Sequence, residues 1–437
     1  MGRATKLLET LLLQFRPYFV GFVQGHSYLS DDQIAECRTY IDSPKSGIVD
    51  KFESEFAALI GEGNGVSFAA GRMALYSLLQ VMKIGIGDEV ILPGFTCSVM
   101  PNAILRAGAK PVYTDIDVDT YGSDPDAISA AITPRTRLIV AQHSFGMPCK
   151  IEEIVAVARE RNIPVLEDCA ITLGSRSNGV AVGNFGTAAL FSTDHSKPIN
   201  TLLGGFIYTK DRTLFGKIKS YHSSLPDLSR DHQRRLLKRL LYEKKYFVPG
   251  RYKLTKLHSI LMKVVGSSFH PRSDVLLTQD TRNPGVSSKS TYPYPAKFPP
   301  FLAYVGLQEI QRWTTERRER QSTLSDYLRF LSDHLEEGAY RFPKAYFDSR
   351  YDIIPLRFVF ESEDAGMLKA KLKKVLETEW IWFKQPIEAT EAPLREFFYE
   401  AGSCRSAERL GERIINFPCV YSANRSEVFQ ALGSALE

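Results

Sequence analysis

The stretch "EVILPGFTCSVMPNAILRAGAKPVYTDI" (Glu89–Ile116) decides the fold class of this 437-residue chain. Two short runs that are mostly apolar and β-branched, "EVILP" and "KPVYTDI", enclose "SVMPNAILRAG", where apolar residues recur at helical spacing. Runs of this kind are typical of strands buried on both faces, as in parallel sheets. The stretch therefore predicts a strand–helix–strand unit.

The same alternation extends on both sides, from about Val66 to Thr209. Further strands are predicted at "RLIVAQH", "IPVLEDC", "AALFST" and "GGFIYT", with helices at "GRMALYSLLQVMKIG", "PDAISAAI" and "KIEEIVAVARERN". Alternating strands and helices predict a doubly wound, parallel α/β sheet with helices on both faces. In such sheets ligands bind at the carboxyl ends of the strands, so polar residues there are the candidates for a site.

Composition excludes several classes of protein. The chain is 44% hydrophobic and 24% charged, as ordinary globular proteins are, and no apolar run is long enough to span a bilayer. Its six cysteines are scattered without a C-x-x-C pair, which argues against a zinc site or a disulfide scaffold and fits reduced thiols in a cytoplasm. Because Glu9 interrupts the leucine run of "MGRATKLLETLLLQF", we interpret this stretch as an amphipathic helix rather than a signal peptide.

Changes in sequence style predict four regions. These are an N-terminal helical segment (1–50), a large α/β domain (51–211), a basic insertion (212–297), and a long helix with a smaller C-terminal α/β domain (298–437). The long helix is predicted at "FLAYVGLQEIQRWTTERRERQSTLSDYLRFLSDHL", and strands of the small domain at "DIIPLRFVF" and "RIINFPCVY".

The insertion carries the basic character of the chain. Arg230–Lys263 holds 11 Lys or Arg against two acids, a local net charge of 11 − 2 = +9, whereas the whole chain is +5. Four leucines (Leu236, Leu237, Leu240 and Leu241) form one helical stripe among these charges. Such a helix could contact an anionic membrane through 230–263, pack its stripe on a dimer partner, or bind the diphosphate of a nucleotide sugar; nucleic acid is not expected.

Polar residues at the predicted strand ends suggest a site. Glu167 and Asp168 follow an apolar strand, and by alternation one of them can face the ligand side. Lys197 lies 197 − 168 = 29 positions after Asp168, between two predicted strands. Gly71 and Arg72 stand at a helix start, where free N–H groups bind anions, and Ser192 ends a strand.

This set of residue types fits pyridoxal phosphate. Its aldehyde needs a lysine amine, its ring nitrogen a carboxylate, and its phosphate helix N–H groups, a hydroxyl and a cation. Each residue taken alone has a simpler interpretation: a surface lysine, an acid at a helix N-cap, a turn glycine or a strand-end serine. Their common location at strand ends of one sheet is what favours a site.

Three motifs add a resemblance. The segments "GIGDEVILP", "GAKPVYTDID" and "EDCA", in this order, resemble the sugar aminotransferases of the DegT–StrS family, and the likeness runs from about Leu29 to Asp211 and resumes at "RSAERLGERIINFPCVY". It implies the pyridoxal-phosphate-dependent transferase fold type I, with a mostly parallel seven-stranded sheet. It also implies a homodimer that aminates a nucleotide-linked keto sugar, usually with glutamate as donor. With the cysteine pattern, the expected location is the cytoplasm, peripheral to the membrane if the basic insertion binds there.

The resemblance assigns a role to each candidate residue. Lys197 would be the Schiff-base lysine and proton shuttle, Asp168 would pair with the ring nitrogen, and Ala170 would lie against the ring. Ser192, Gly71 and Arg72 would hold the phosphate. His143 matches a histidine near the cofactor, with a structural or a catalytic role. The sequence does not identify the sugar, its reacting carbon or the nucleotide.

Some positions depart from the family pattern. Cys97 stands where many members carry an aromatic residue stacked on the ring, Ile171 replaces a glutamine, and Pro295 to Lys297 replace an N-x-R pattern. These departures leave open a catalytically degenerate paralogue that acts as a regulator or a membrane-associated scaffold. Lys197, rather than His195, fills the aligned lysine position, which favours transamination over the dehydration carried out by relatives with a histidine there.

Overall fold

The computed structural model describes residues 25–248, 275–277, 291–336, 338–372, 375–376, 383–390, 392–419 and 425–436. The amphipathic helix predicted at the N-terminus and the part of the basic segment from 249 to 263 lie outside these residues. Among the described residues, no helix is both long and apolar enough to cross a membrane.

A seven-stranded sheet forms the centre of the fold. Its strands in chain order are β1 (Asn64–Phe68), β2 (Glu89–Pro93), β4 (Lys110–Thr114), β5 (Thr136–Gln142), β6 (Val165–Asp168), β9 (Ala188–Ser192) and β10 (Gly205–Thr209). Their spatial order is β1-β10-β9-β6-β5-β2-β4. The pairs from β9 to β4 are parallel, and β10 is antiparallel to both of its neighbours. The predicted mostly parallel α/β sheet is confirmed.

Helices cover this sheet and lead to the smaller C-terminal part. Those among the described residues are α1 (Asp31–Asp42), α2 (Ile48–Ile60), α3 (Gly71–Val81), α4 (Val99–Arg106), α5 (Pro125–Ala131), α6 (Ile151–Glu160), α7 (Arg212–Ser223), α8 (Arg230–Tyr246), α9 (Pro300–His334), α10 (Ala365–Leu372), α11 (Arg405–Arg413) and α12 (Arg425–Leu436). Gly108 and Asn162 adopt positive φ just after α4 and α6, as residues that end helices do.

Three small sheets complete the architecture. They comprise β11 (Tyr340–Arg341), β13 (Arg357–Ser362) and β15 (Ile414–Pro418); β7 (Arg176–Ser177), β8 (Val180–Ala181) and β12 (Tyr351–Asp352); and β3 (Thr96–Cys97) with β14 (Ile387–Glu388). β13 and β15 pack an aromatic core with α9, in which Tyr327 stacks on Phe358 at 4.9 Å between ring centroids. The pairing of β14 with β3 brings a C-terminal segment to the edge of the large sheet.

The basic insertion folds onto its own chain. Leu236, Leu237 and Leu240 of α8 are buried in the same hydrophobic core as the central sheet, and Leu241 packs against it half-buried. Within residues 230–246, the leucine stripe is therefore covered by the chain itself and does not face a membrane, whereas contact of the basic residues of 230–263 with an anionic membrane stays a prediction. The stripe packs on the chain's own core, whereas the packing alternative predicted from sequence placed it on a dimer partner.

Candidate active site

A cavity of about 570 Å³ opens at the carboxyl edge of the central sheet. Gln142, Asp168 and Ser192, the last residues of the adjacent strands β5, β6 and β9, all line it. Lys197 lines the same cavity. The sheet thus brings together residues that are far apart in sequence, as ligand sites in parallel α/β sheets require.

Lys197 lies on a tight loop between β9 and β10, which we call the lysine loop (193–204). Thr193 and Thr201 close this loop: the Thr201 N–H donates to the Thr193 carbonyl at 2.8 Å, and the Thr193 N–H to the Gly204 carbonyl at 3.1 Å. Within it the Lys197 N–H donates to the Asp194 carbonyl at 3.0 Å. These bonds fix the backbone from which the lysine side chain extends.

The far side of the lysine loop is also held. The Asn200 N–H donates to the buried carboxylate of Glu309 on α9 at 3.1 Å. The Asn200 carbonyl accepts a hydrogen bond from Nε2 of His26 at 2.9 Å. His26 is itself fully buried, 3.4 Å from the Glu243 carboxylate of the insertion helix α8. The loop is therefore anchored directly to α9 and to the segment that holds His26, and through His26 to the insertion helix α8.

Asp168 supplies a buried carboxylate to the cavity. Its Oδ1 accepts the N–H of Ala170 at 3.0 Å. Burial raises the pKa of Asp168 above its ordinary value, while the Ala170 N–H and the charge of Lys197 act in the opposite direction. A cation placed against this carboxylate would stabilise its ionised form.

The start of α3 forms one end of the cavity. Its N-cap residue is Ala70, and no side chain caps the helix, so its first N–H groups lack the usual hydroxyl or carboxylate partner. A Cβ atom placed on Gly71 would lie 3.9 Å from Oγ of Ser192, which shows that the helix start faces this hydroxyl. Gly205 permits this approach, because a Cβ there would lie 2.4 Å from the Gly71 nitrogen.

Arg72 lines the same end and is 7% exposed. Its guanidinium donates a hydrogen bond to the backbone carbonyl of Leu277, a residue of the basic insertion. The arginine is therefore near the helix start, as the sequence predicted, and it is also bound to a segment that the sequence did not connect with it.

His143 is not among the residues that line the cavity. It is fully buried behind the sheet edge, where its Nδ1 accepts the N–H of Cys149 at 3.1 Å and its Nε2 donates to Glu167 at 3.2 Å. Both ring nitrogens therefore have a hydrogen-bond partner within the chain. Although His143, Glu167 and Cys169 are close enough to suggest a metal site, the Glu167 carboxylate also accepts three backbone N–H groups, which fits a structural role.

Other predicted residues do reach the cavity. Ala170, Ile171 and Cys97 line it, and burial raises the pKa of the Cys97 thiol. Among the lining residues that sequence analysis did not assign to the site are Asp194, His195, Phe383 and Glu388. The first two could have been found from their proximity to Lys197. Phe383 and Glu388 come from the C-terminal part, and no local pattern connects them with the lysine.

The cavity fits pyridoxal phosphate. Lys197 offers an amine, and Asp168 offers a buried carboxylate whose raised pKa calls for a cation such as a protonated ring nitrogen. The uncapped start of α3, with the Ser192 hydroxyl and Arg72, offers donors to a phosphate. The structure thus brings together seven of the eight predicted site residues and leaves His143 behind the cavity wall.

A family model described as the DegT/DnrJ/EryC1/StrS aminotransferase family matches residues 32–261 of the chain. GDP-perosamine synthase from Escherichia coli O157:H7 is 38% identical over 192 residues, 43% of this chain and 51% of that protein. UDP-N-acetyl-3-dehydro-alpha-D-glucosamine 3-aminotransferase from Acidithiobacillus ferrooxidans is 40% identical over 168 residues, 38% of this chain and 46% of that protein. The chain spans about half the length of the curated relatives it matches.

Solved structures resemble the whole fold. NtdA from Bacillus subtilis, determined with bound cofactor PMP, superposes with a TM-score of 0.69 at 19% identity, over 95% of this chain and 84% of that chain. The structural likeness therefore extends well beyond the region of clear sequence similarity and includes the C-terminal part that contributes Phe383 and Glu388 to the cavity.

Proposed function

Since the chain belongs to the DegT/DnrJ/EryC1/StrS aminotransferase family, we propose that it is a pyridoxal-phosphate-dependent aminotransferase. Its substrate is a nucleotide-linked keto sugar, which it converts to an amino sugar with glutamate as the amino donor. The observation that carries this proposal is that Lys197, Asp168 and the uncapped start of α3 all meet in one cavity.

The roles of the residues follow from their positions. When bound, the cofactor supplies a ring that accepts electrons from the reacting carbon. Lys197 would hold the cofactor through Nζ, and the same nitrogen, when not bonded to the cofactor, would move a proton to or from the substrate. Asp168 keeps the proton on the ring nitrogen. The apolar lining residues Met100, Leu203 and Phe383 exclude water, which strengthens these electrostatic contacts.

The phosphate is held by the start of α3. Backbone N–H groups at Gly71, the Ser192 hydroxyl and the Arg72 guanidinium supply donors on one side of the cavity. Binding the phosphate at this end leaves the Lys197 amine and the Asp168 carboxylate to the aldehyde and ring nitrogen of the same molecule.

The names of two relatives, a GDP-perosamine synthase and an aminotransferase acting on a UDP-linked sugar, support the substrate class. A homodimer is part of the proposal, as the family resemblance implies. Size-exclusion chromatography with light scattering tests it, and a mass of one chain would contradict it.

An absorbance spectrum tests the chemistry. Purified wild type with pyridoxal phosphate is expected to show a visible band that bleaches on addition of glutamate, whereas Lys197→Ala shows neither the band nor the bleaching. Lys210→Ala is the matched control, because this lysine is exposed and its Nζ donates to the Asn184 carbonyl at 3.1 Å, away from the cavity. A panel of nucleotide-linked keto sugars, offered to the glutamate-treated enzyme, then identifies the acceptor.

A wild type without a visible band would contradict the proposal. The alternative is a catalytically degenerate paralogue that acts as a regulator or scaffold. Cys97 and Ile171 favour it, because both line the cavity where the family pattern has an aromatic residue and a glutamine. Cofactor binding without bleaching by any amino donor would support this alternative.

A further inference from the structure

A short part of the basic insertion reaches the cavity. Leu276 lines it, and its neighbours Val275 and Leu277 are buried at 7% and 0% exposure. We call residues 275–277 the wall tripeptide. Its presence at the cavity is unexpected from sequence, because it lies about eighty positions after Lys197 in a region that shows none of the family's motifs.

Polar contacts hold the wall tripeptide in place. Nε2 of His232 on α8 donates to the Val275 carbonyl at 3.0 Å, and the Tyr292 hydroxyl donates to the Leu277 carbonyl at 2.8 Å. The Arg72 guanidinium donates to the same Leu277 carbonyl. Backbone carbonyls flanking Leu276 on both sides are thus satisfied by buried or nearly buried side chains, which is how a fixed segment is built.

The end of the insertion lies against the same place. The Ala69 N–H donates to the Ala296 carbonyl at 3.0 Å, and the Tyr294 hydroxyl donates to the Arg72 carbonyl at 3.1 Å. Described residues from the second half of the insertion, Leu277, Tyr294 and Ala296, therefore contact the chain within two positions of Gly71. This is the end of the cavity where, under the proposed function, the cofactor's phosphate binds.

We propose that the wall tripeptide forms, within the same chain, part of the outer wall of the phosphate end of the cofactor site, where Arg72 positions it by binding the Leu277 carbonyl. Leu276 and Leu277 exclude water from this contact. The wall slows release of the cofactor. This inference rests on the proposed function.

The test measures cofactor release rather than activity. Leu276→Ala opens the wall, and Tyr292→Phe removes the O–H that binds the Leu277 carbonyl. Loss of one neutral hydrogen bond, about 1 kcal/mol, predicts a roughly fivefold faster release of pyridoxal phosphate after dilution into a trapping reagent. Binding of pyridoxal, which lacks the phosphate, is expected to change less than twofold. Arg234→Gln is the matched control, because Arg234 is an exposed residue of α8 in the same insertion.

A second readout works without the cofactor. The amides of Met73 and Ala74 bond to the Ala70 carbonyl in the first turn of α3, and their hydrogen exchange is expected to be faster in both wall variants. If wild type binds pyridoxal phosphate and both variants release it at the wild-type rate, the proposed role of the wall is wrong, whereas the proposed function is not contradicted. If wild type does not bind pyridoxal phosphate, the proposed function fails, and the wall's effect on cofactor release fails with it. Faster amide exchange in the variants would then show that the wall still supports the start of α3, so that the failure lies in the proposed chemistry.

Discussion

Glu167 and Asp168 are neighbours on β6, and their side chains serve opposite faces of the central sheet. The Glu167 carboxylate is fully buried and accepts the N–H groups of Gly183, Phe185 and Gly186 at 2.6 to 2.7 Å. Asp168 lines the cavity. Because strand residues alternate between faces, one carboxylate fixes a loop and the next is available to a ligand.

Glu167→Gln is expected to destabilise the protein by about 2–3 kcal/mol, because an amide NH₂ would then face backbone N–H donors that it cannot satisfy. Urea unfolding, followed by circular dichroism, measures this loss. Glu160→Gln, at an exposed position on α6, is the control and should leave the midpoint unchanged. A midpoint for Glu167→Gln equal to that of wild type would show that these contacts are not needed for stability.

Asp168→Asn is expected to separate stability from function. Burial raises the pKa of Asp168, so the folded state holds this proton more tightly than the unfolded state, and its contribution to stability falls as pH rises above the unfolded value of about 4. Asp168→Asn has no carboxylate to ionise, so it does not lose this stability as pH rises. Its cofactor-free form should therefore melt higher than wild type at pH 8, with a smaller difference at pH 5.

Transamination by Asp168→Asn should fall at least ~100-fold, because the proton on the ring nitrogen loses its carboxylate partner. Differential scanning calorimetry of the cofactor-free proteins and a glutamate half-reaction assay measure the two effects. If Asp168→Asn melts below wild type at pH 8, burial of the Asp168 carboxylate does not destabilise the cofactor-free protein. If the variant keeps activity near that of wild type, Asp168 is not needed by the cofactor.

The local part of the fold and site could be predicted from sequence, and the non-local part could not. Strand β2 has the predicted bounds, and the other predicted strands of the central sheet end within two residues of prediction, because their apolar runs are continuous. Residues at the carboxyl ends of these strands, such as Asp168 and Ser192, followed from the same pattern. The antiparallel direction of β10 could not be predicted in this way, because an antiparallel strand buried on both faces has the same sequence pattern as a parallel one.

Contacts made across long separations explain the rest. Phe383 reaches the cavity through the pairing of β14 with β3, and Leu276 reaches it through side-chain bonds to backbone carbonyls. Neither leaves a periodic signal in the sequence. The leucine stripe of α8 was visible, but its amphipathic pattern is the same whether a helix packs on a membrane, a partner or its own chain.

A third prediction concerns the buried pair of His26 and Glu243. Burial lowers the pKa of His26, but the Glu243 carboxylate, with the Asn200 carbonyl, outweighs this and raises it. Glu309, Arg239 and His195 are the other charged or titratable groups around the pair. A raised histidine pKa contributes stability that is complete below the unfolded value of about 6.5 and is lost as pH rises through the folded value.

Wild type should therefore lose stability between pH 6 and pH 9 more steeply than His26→Gln, in which the side chain no longer titrates. Urea midpoints at several pH values measure this difference. Lys45→Gln, whose lysine forms an exposed pair with Glu36, is a control for general charge effects. Parallel pH profiles for wild type and His26→Gln would contradict the assignment.

The fourth prediction tests how the insertion helix is used. Leu240 is fully buried in the main core, so Leu240→Ala should cost about 2–4 kcal/mol of stability, through lost burial and the cavity left behind. Lys238→Ala, two positions earlier and exposed, should cost less than 0.5 kcal/mol. Urea unfolding of both variants measures the difference. Sedimentation with vesicles of anionic phospholipid, done on the same proteins, should give equal partitioning for wild type and Leu240→Ala. Since a membrane-facing leucine would give the opposite pattern, with stability kept and vesicle binding reduced, the pair of measurements distinguishes a packed helix from a membrane-bound one.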